Sequence, residues 1–316
     1  MVVKPSEEAS VALNPVIRLS SDILPDSVLN VVNGGPTTGE AMTGHEGIGK
    51  LSFTGSVPVG KAVMQRAAET VTPVSLELGG KNPLIVFLDA DIEQAAEIAA
   101  GGLFFNTGQS CGALSRALVH ESVHDEFIDA VIEEIETDWL PGDPLESSTI
   151  MGPLSFAARH EEMVEYVESG TDAGATLVRA GSSPADDRFA DGHFFSPTVF
   201  DEVETEMRIA QEEIFGPVLS IMPFSEYDEA ISLANDVSYG LLAGLATEDM
   251  SLAHRAAAEL DAGSVWVNEW YNVGPGTPFG GYKKSGIGRE CTEDTLDAYR
   301  QQKAASISLD DSQNGH

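Results

Sequence analysis

The feature that most constrains this chain is a regular alternation between short apolar runs and longer stretches with apolar residues at helical spacing. Val28–Asn33, Lys50–Thr54, Val74–Leu78 and Leu84–Leu88 read as strands. Val59–Glu69 carries Val59, Val63 and Ala67 at helical spacing, and helices are expected over Ile92–Phe105 and Val123–Ile135 with an extended Ala117–Val119 between them. Further on, the strands Val218–Pro223, Leu242–Ala246 and Ser264–Val267 are separated by the helices Tyr227–Asn235 and Ser251–Leu260. Such alternation builds βαβ units, so the expected class is α/β with a mainly parallel sheet. Pro141–Pro153 and Gly181–Gly192 are rich in turn formers and read as surface connections, and Asp310–His316 is a polar tail. Gly79-Gly80-Lys81-Asn82-Pro83 interrupts two strand-like runs and marks the expected domain boundary.

With 316 residues, 42% of them hydrophobic, the chain can fill the cores of two domains. It has no run of ~18 apolar residues and no leader pattern, so a cytoplasmic protein is expected. Its 51 acidic and 17 basic residues give a net charge of −34. That field repels nucleic acid and anionic lipid, which excludes both as partners. The acids are spread along the chain, as on a solvated surface suited to high salt in a halophile, where screening suppresses self-repulsion. The two cysteines, Cys111 and Cys291, make no disulfide framework, and no Cys/His cluster has zinc spacing, so no metal is expected.

Three segments can carry chemistry. Phe53-Thr54-Gly55-Ser56-Val57-Pro58-Val59-Gly60 sets a Gly-Ser at a strand end directly before a helix. The open N–H groups and positive dipole end there suit a phosphate, although a simple tight turn has the same residues. In Leu76-Glu77-Leu78-Gly79-Gly80-Lys81, Glu77 is either a solvent-facing acid or a carboxylate in a partly apolar site, where desolvation equips it as a general base. In Phe104-Phe105-Asn106-Thr107-Gly108-Gln109-Ser110-Cys111-Gly112 the helix breaks at 106–108, which places Cys111 on a loop with small neighbours. That setting suits a nucleophile as well as an inert thiol. Cys291 lacks such a setting and reads as structural.

Taken in order, L-E-L-G-G-K, then F-F-N-x-G-Q-x-C, then E-E-I-F-G-P at 212–217 and P-F-G-G-Y-K-x-S-G-x-G-R-E at 278–290 resemble the aldehyde dehydrogenase superfamily. The opening V-V-K-P-S-E and the F-T-G-S match it too, so the resemblance runs from Val2 to about Leu309. It implies a partial, Rossmann-like NAD-binding domain over 1–78, an α/β catalytic domain over 79–285, and a C-terminal helix, oligomerisation strand and tail over 286–316. It implies that Cys111 attacks an aldehyde to give a thiohemiacetal and then a thioester, which Glu77 hydrolyses by activating water. Gly55, Ser56 and Gly60 are implied near the pyrophosphate, Lys4 and Glu7 at the adenosine ribose, and Glu213 and Phe215 at the nicotinamide end. Trp270, Val273 and Phe279 are implied to line the aldehyde tunnel. Glu7 would repel a 2′-phosphate, which favours NAD over NADP.

Against the family pattern, the chain starts late. A long N-terminal stretch, with an asparagine that helps bind the oxyanion, precedes the lysine matching Lys4 in family members. Loss of one oxyanion donor costs about 10²–10³ in rate. Asn14-Pro15 is expected to break the first helix, and Ala304–Leu309 is expected to be a strand that pairs across subunits of a homo-oligomer. The leading expectation is an NAD-dependent aldehyde oxidation, complete when the missing part is supplied, for instance by a complementing N-terminal chain. The alternative is an impaired relic that binds nucleotide or a homologous subunit. A CoA-linked reductase is disfavoured by Glu77, because such relatives need no water-activating base.

Overall fold

The computed structural model describes residues 1–181 and 187–308. The chain opens with β1 (Val2–Val3), α1 (Ser10–Ser21), β2 (Asn30–Val31) and α2 (Pro36–Thr43). Next come β3 (Leu51–Thr54), α3 (Val57–Thr70), β4 (Val74–Glu77), β5 (Pro83–Val86), α4 (Ile92–Phe104), β6 (Arg116–His120) and α5 (His124–Asp138). The middle of the chain holds α6 (Ala157–Asp172), β7 (Thr176–Arg179), β8 (Thr198–Asp201), α7 (Arg208–Gln211) and β9 (Val218–Phe224). The remainder is α8 (Tyr227–Asn235), β10 (Tyr239–Gly240), β11 (Leu242–Ala246), α9 (Met250–Glu259), β12 (Ser264–Val267), β13 (Tyr282–Lys283), β14 (Gly286–Ile287) and α10 (Glu293–Asp297).

The main sheet has seven strands in the order β12-β11-β5-β6-β9-β8-β7, parallel throughout except for the β7–β8 pair. Its inner strands are apolar on both faces, as a parallel sheet covered on two sides requires. Alternate residues divide between two cores. Leu84, Val86, Ala117, Val119, Leu219 and Ile221 pack with α4 and α5. Ile85, Leu118, Val218, Met222 and Leu245 pack with α6, α7, α8 and α9. The helix starts follow local chemistry: the Asp91 side chain caps α4 at Gln94 N, and Asp249 caps α9 at Ser251 N and Leu252 N.

A second sheet, β14-β4-β3, is parallel between β3 and β4 and antiparallel between β4 and β14. Helix α3 covers it, with Val63 and Ala67 on Leu51, Leu76 and Leu78. Gly60 is buried there, and a Cβ at 60 would come within 2.6 Å of Leu78 Cδ2, so its missing side chain serves close helix–strand packing. The chain passes from one sheet to the other across residues 78–82.

Several expectations change. Helix α1 runs through Pro15 without a break. Pro15 lies on an exposed face and Val11, whose carbonyl loses its N–H partner, is exposed as well, while Ile17 anchors the other side. Residues 304–308 form no strand among the described residues; they are exposed and lack a neighbouring edge. Leu309 and Asp310–His316 lie outside the described residues, as do 182–186 of the loop 181–192. Within 141–153, Met151 is fully buried, so that stretch is not wholly a surface connection.

The edge of the main core is fixed by a buried cation. Arg116, fully buried at the start of β6, donates from Nε to Lys81 O at 3.2 Å. Its Nη1 and Nη2 donate to Leu233 O at 2.9 Å and Ala234 O at 2.8 Å, in the last turn of α8. The planar fork thus satisfies carbonyls at the C-terminal end of α8 and sits at the negative end of the helix dipole. Arg116→Leu should lower unfolding free energy by about 3 kcal/mol or more, since each stranded carbonyl costs about 1–3 kcal/mol. Urea titration reads this out, and an unchanged midpoint would show that the carbonyls are satisfied otherwise.

Candidate active site

Helix α4 ends at Phe104, and Asn106, Thr107 and Gly108 take left-handed backbone at φ 51°, 58° and 72°. Gly108 is required by its neighbour: a Cβ there would meet Gly216 C and O at 2.4 Å. Thr107 Oγ1 donates to Gly152 O at 3.0 Å, and Asn106 and Gln109 exchange side-chain bonds with each other's carbonyls. The turn delivers Cys111 to a half-buried position against the cluster Leu241, Leu242 and Trp266. Trp270, Val273 and Phe279 pack against the same buried cluster as Cys111. Tyr271 joins them: a Cβ on Gly112 would touch its ring at 2.6 Å, and the ring meets Phe279 edge-on at 6.3 Å.

Glu77 ends β4, with its backbone opposite Thr54 on one side and Gly286 on the other. Its residue surface is only 5% exposed and Oε2 has no hydrogen-bond partner among the described residues. Burial pushes the carboxyl up to about 8; Glu290 adds to this and Arg289 opposes it. The Cys111 thiol is also raised, by burial first and then by the charges of Glu213 and Glu77, while the N–H groups of Cys111 and Gly112 work the other way. The influence of Glu77 on the thiol puts Cys111 within electrostatic reach of its carboxylate.

Glu213 docks on the glycine link. Its Oε1 accepts from Gly80 N at 3.2 Å, and a Cβ on Gly79 would overlap its carboxylate. Phe215, two residues on, has φ 58° and packs under the Arg159 guanidinium, 5.1 Å from its ring centroid. Lys81 is fully buried with Nζ unpartnered among the described residues. Burial and Arg116 push its ammonium down to about 7, opposed by Glu213 and Glu212. Farther away, Ser56 caps α3 without a side-chain bond, which leaves the first helical amides open beside Gly55. Lys4 and Glu7 lie together, 3.5 Å between Nζ and Oε2, and Lys4 Nζ also donates to Gly34 O and Pro5 O. Cys291 is exposed, on left-handed backbone at φ 66°.

Sequence reasoning missed Asn82, Lys81 and the charged pair Arg289 and Glu290 that flanks Glu77. A polar residue at the threshold of the apolar run Pro83–Leu88 was the available signal for Asn82. Among the described residues no group of three His, Cys, Asp or Glu could hold a metal, and no helix is long and apolar enough to cross a membrane.

A loop thiol and a buried acid thus lie near the link between the two sheets of an α/β fold. The chain belongs to the aldehyde dehydrogenase family, whose model matches residues 1–305. It is 45% identical over 311 residues to the mitochondrial aldehyde dehydrogenase of Leishmania tarentolae, covering 96% of this chain and 61% of that protein. It is 44% identical to the betaine aldehyde dehydrogenase of Mesorhizobium japonicum, covering 98% and 64%. Among solved structures, indole-3-acetaldehyde dehydrogenase with NAD+ superposes at TM-score 0.94 and 41% identity, covering 98% of this chain and 62% of that one. Betaine aldehyde dehydrogenase from Staphylococcus aureus with NAD+ gives 0.91 and 40%, covering 94% and 59%. The chain thus spans about three-fifths of the length of the relatives it matches.

The Glu77 carboxyl also leaves a signature in stability. Its folded value lies above its unfolded one, so the folded state holds the proton longer. Relative to an isosteric neutral side chain, the native chain has no penalty below the unfolded value of about 4.5, and loses stability as pH rises from there through about 8. Glu77→Gln should therefore melt above wild type at pH 9 and converge with it at pH 4.5. Melting curves at the two pH values check this; a constant offset would mean the carboxyl is not desolvated.

Proposed function

We propose that this chain carries the nucleophile, general base and much of the cofactor site of an NAD-dependent aldehyde oxidation. The observation that carries the reading is the placement of Glu77, a buried carboxyl, where its charge reaches the Cys111 thiol, which itself packs on an apolar cluster. The residues present fit a dinucleotide. Ser56 and the open amides of α3 would hold its pyrophosphate. Lys4 and Glu7 would hold the adenosine ribose, and Glu213 and Phe215 the nicotinamide end. Lys4 is already committed to two carbonyls and Glu7, which supports NAD over NADP. Bound there, the cofactor would supply the hydride acceptor that takes a thiohemiacetal to a thioester.

The chain's own groups do the rest. Cys111 sulfur adds to the aldehyde carbon, dividing one hard oxidation-plus-hydrolysis into two easier steps. Glu77, with a proton affinity near neutral, takes the thiol proton and later draws one from the water that cleaves the thioester. Trp270, Tyr271, Val273 and Phe279 receive the body of a small aldehyde. A homo-oligomer and adaptation to high salt complete the proposal.

The test is NADH formation at 340 nm with a panel of aldehydes. Cys111→Ala should abolish turnover, and Glu77→Gln should lower it by about 10²-fold or more. The wild-type rate should rise with pH through about 8, as Glu77 loses its proton. The raised Cys111 thiol favours a second reading, an impaired relic. It predicts thermal stabilisation by NAD with no turnover for any aldehyde.

A further inference from the structure

Asn82 occupies a position that the chemistry proposed above does not use. It is 1% exposed, on the link that leads from the strand of Glu77 into β5. Its amide nitrogen donates to Cys111 O at 2.9 Å and to Ala113 O at 2.8 Å. Its Oδ1 accepts from Leu242 N at 3.0 Å, at the first residue of β11. Both amide hydrogens and one lone pair are thus engaged, and the two carbonyls they hold flank the nucleophile loop. The same link is pinned from behind by Arg116 Nε on Lys81 O and in front by Glu213 on Gly80 N.

Peptide geometry turns this clamp into an effect at the sulfur. The carbonyl of Cys111 and the N–H of Gly112 belong to one planar trans peptide and point in opposite directions. A carbonyl held on Asn82 therefore fixes the Gly112 N–H on the far side, where it donates to Ser110 Oγ at 3.1 Å. Resting on the reading of Cys111 as nucleophile, we propose that Asn82 is a positioning residue, which orients the Cys111–Gly112 peptide so that its N–H is held on the sulfur side of the loop. The Cys111 and Gly112 amides are the favourable influences on the thiolate, set against burial and the negative charges of Glu213 and Glu77. The Tyr271 phenol is the other titratable group that faces the sulfur.

Asn82→Ala removes both donors, and Asn82→Ser retains a single one. The measurement is the pH dependence of iodoacetamide alkylation at Cys111, quantified by peptide mass spectrometry, with exposed Cys291 as internal reference. In Asn82→Ala the Cys111 profile should shift upward by about half to one unit, which slows alkylation near pH 7.5 about 3- to 10-fold, because only the thiolate reacts. Asn82→Ser should fall between, with the Cys291 profile and far-UV circular dichroism unchanged in both. An unmoved or downward-shifted Cys111 profile, or a parallel shift at Cys291, would overturn the proposal. Should Asn82→Ala not fold, the Asn82→Ser profile decides alone on the same terms. Alkylation needs neither aldehyde nor NAD, so a protein that oxidises no aldehyde would sink the functional reading and leave this result standing.

Discussion

The arrangement depends on what happens to the backbone between residues 79 and 82. There the chain leaves one sheet and enters the other, held by hydrogen bonds to segments far along the sequence, while the buried Lys81 Nζ has no partner among the described residues. Gly80 N–H meets Glu213, Lys81 C=O meets Arg116, and the Asn82 amide meets Cys111, Ala113 and Leu242. The two glycines are demanded by proximity, because a side chain at 79 would occupy the Glu213 carboxylate and one at 80 would approach Cys111 O to 2.7 Å. A buried polar hub of this kind specifies a unique geometry when fully satisfied and is costly when it is not.

Electrostatics at the site run against ionisation. Glu77 sits near 8 and the thiol is pushed up, while Lys81, close behind, is brought down to about 7. Burial is the leading cause in all three, so each group holds its neutral form more readily than it would in water.

Much of this was legible in the residues. The main sheet was readable because apolar runs such as Leu84–Leu88 and Val218–Pro223 have no alternative to burial on both faces, and α8, β11 and β12 match their expected limits to the residue. The break after α4 was readable from Asn106-Thr107-Gly108. Helix α6 and strands β7 and β8 were not singled out, since polar residues dilute their periodicity. Pro15 misled because the rule about helix interiors ignores which face the proline takes. At the site, Cys111 and Glu77 stood out by neighbourhood, but Asn82 and Glu290 are placed by, or reach, residues far along the chain. Spacing carries no information about such contacts.

The left-handed turn at 106–108 has a consequence for when the thiol acquires its character. Threonine, a β-branched residue, resists φ near 58°, so this backbone persists only while surrounding structure overrides its preference. The groups that do so are contributed from Gly152 and Gly216, and Asn82 reaches Leu242 across 160 positions of sequence. Contacts so distant along the chain close late in folding. The backbone that carries Cys111 accordingly takes its shape from segments far along the chain, and exists only together with them.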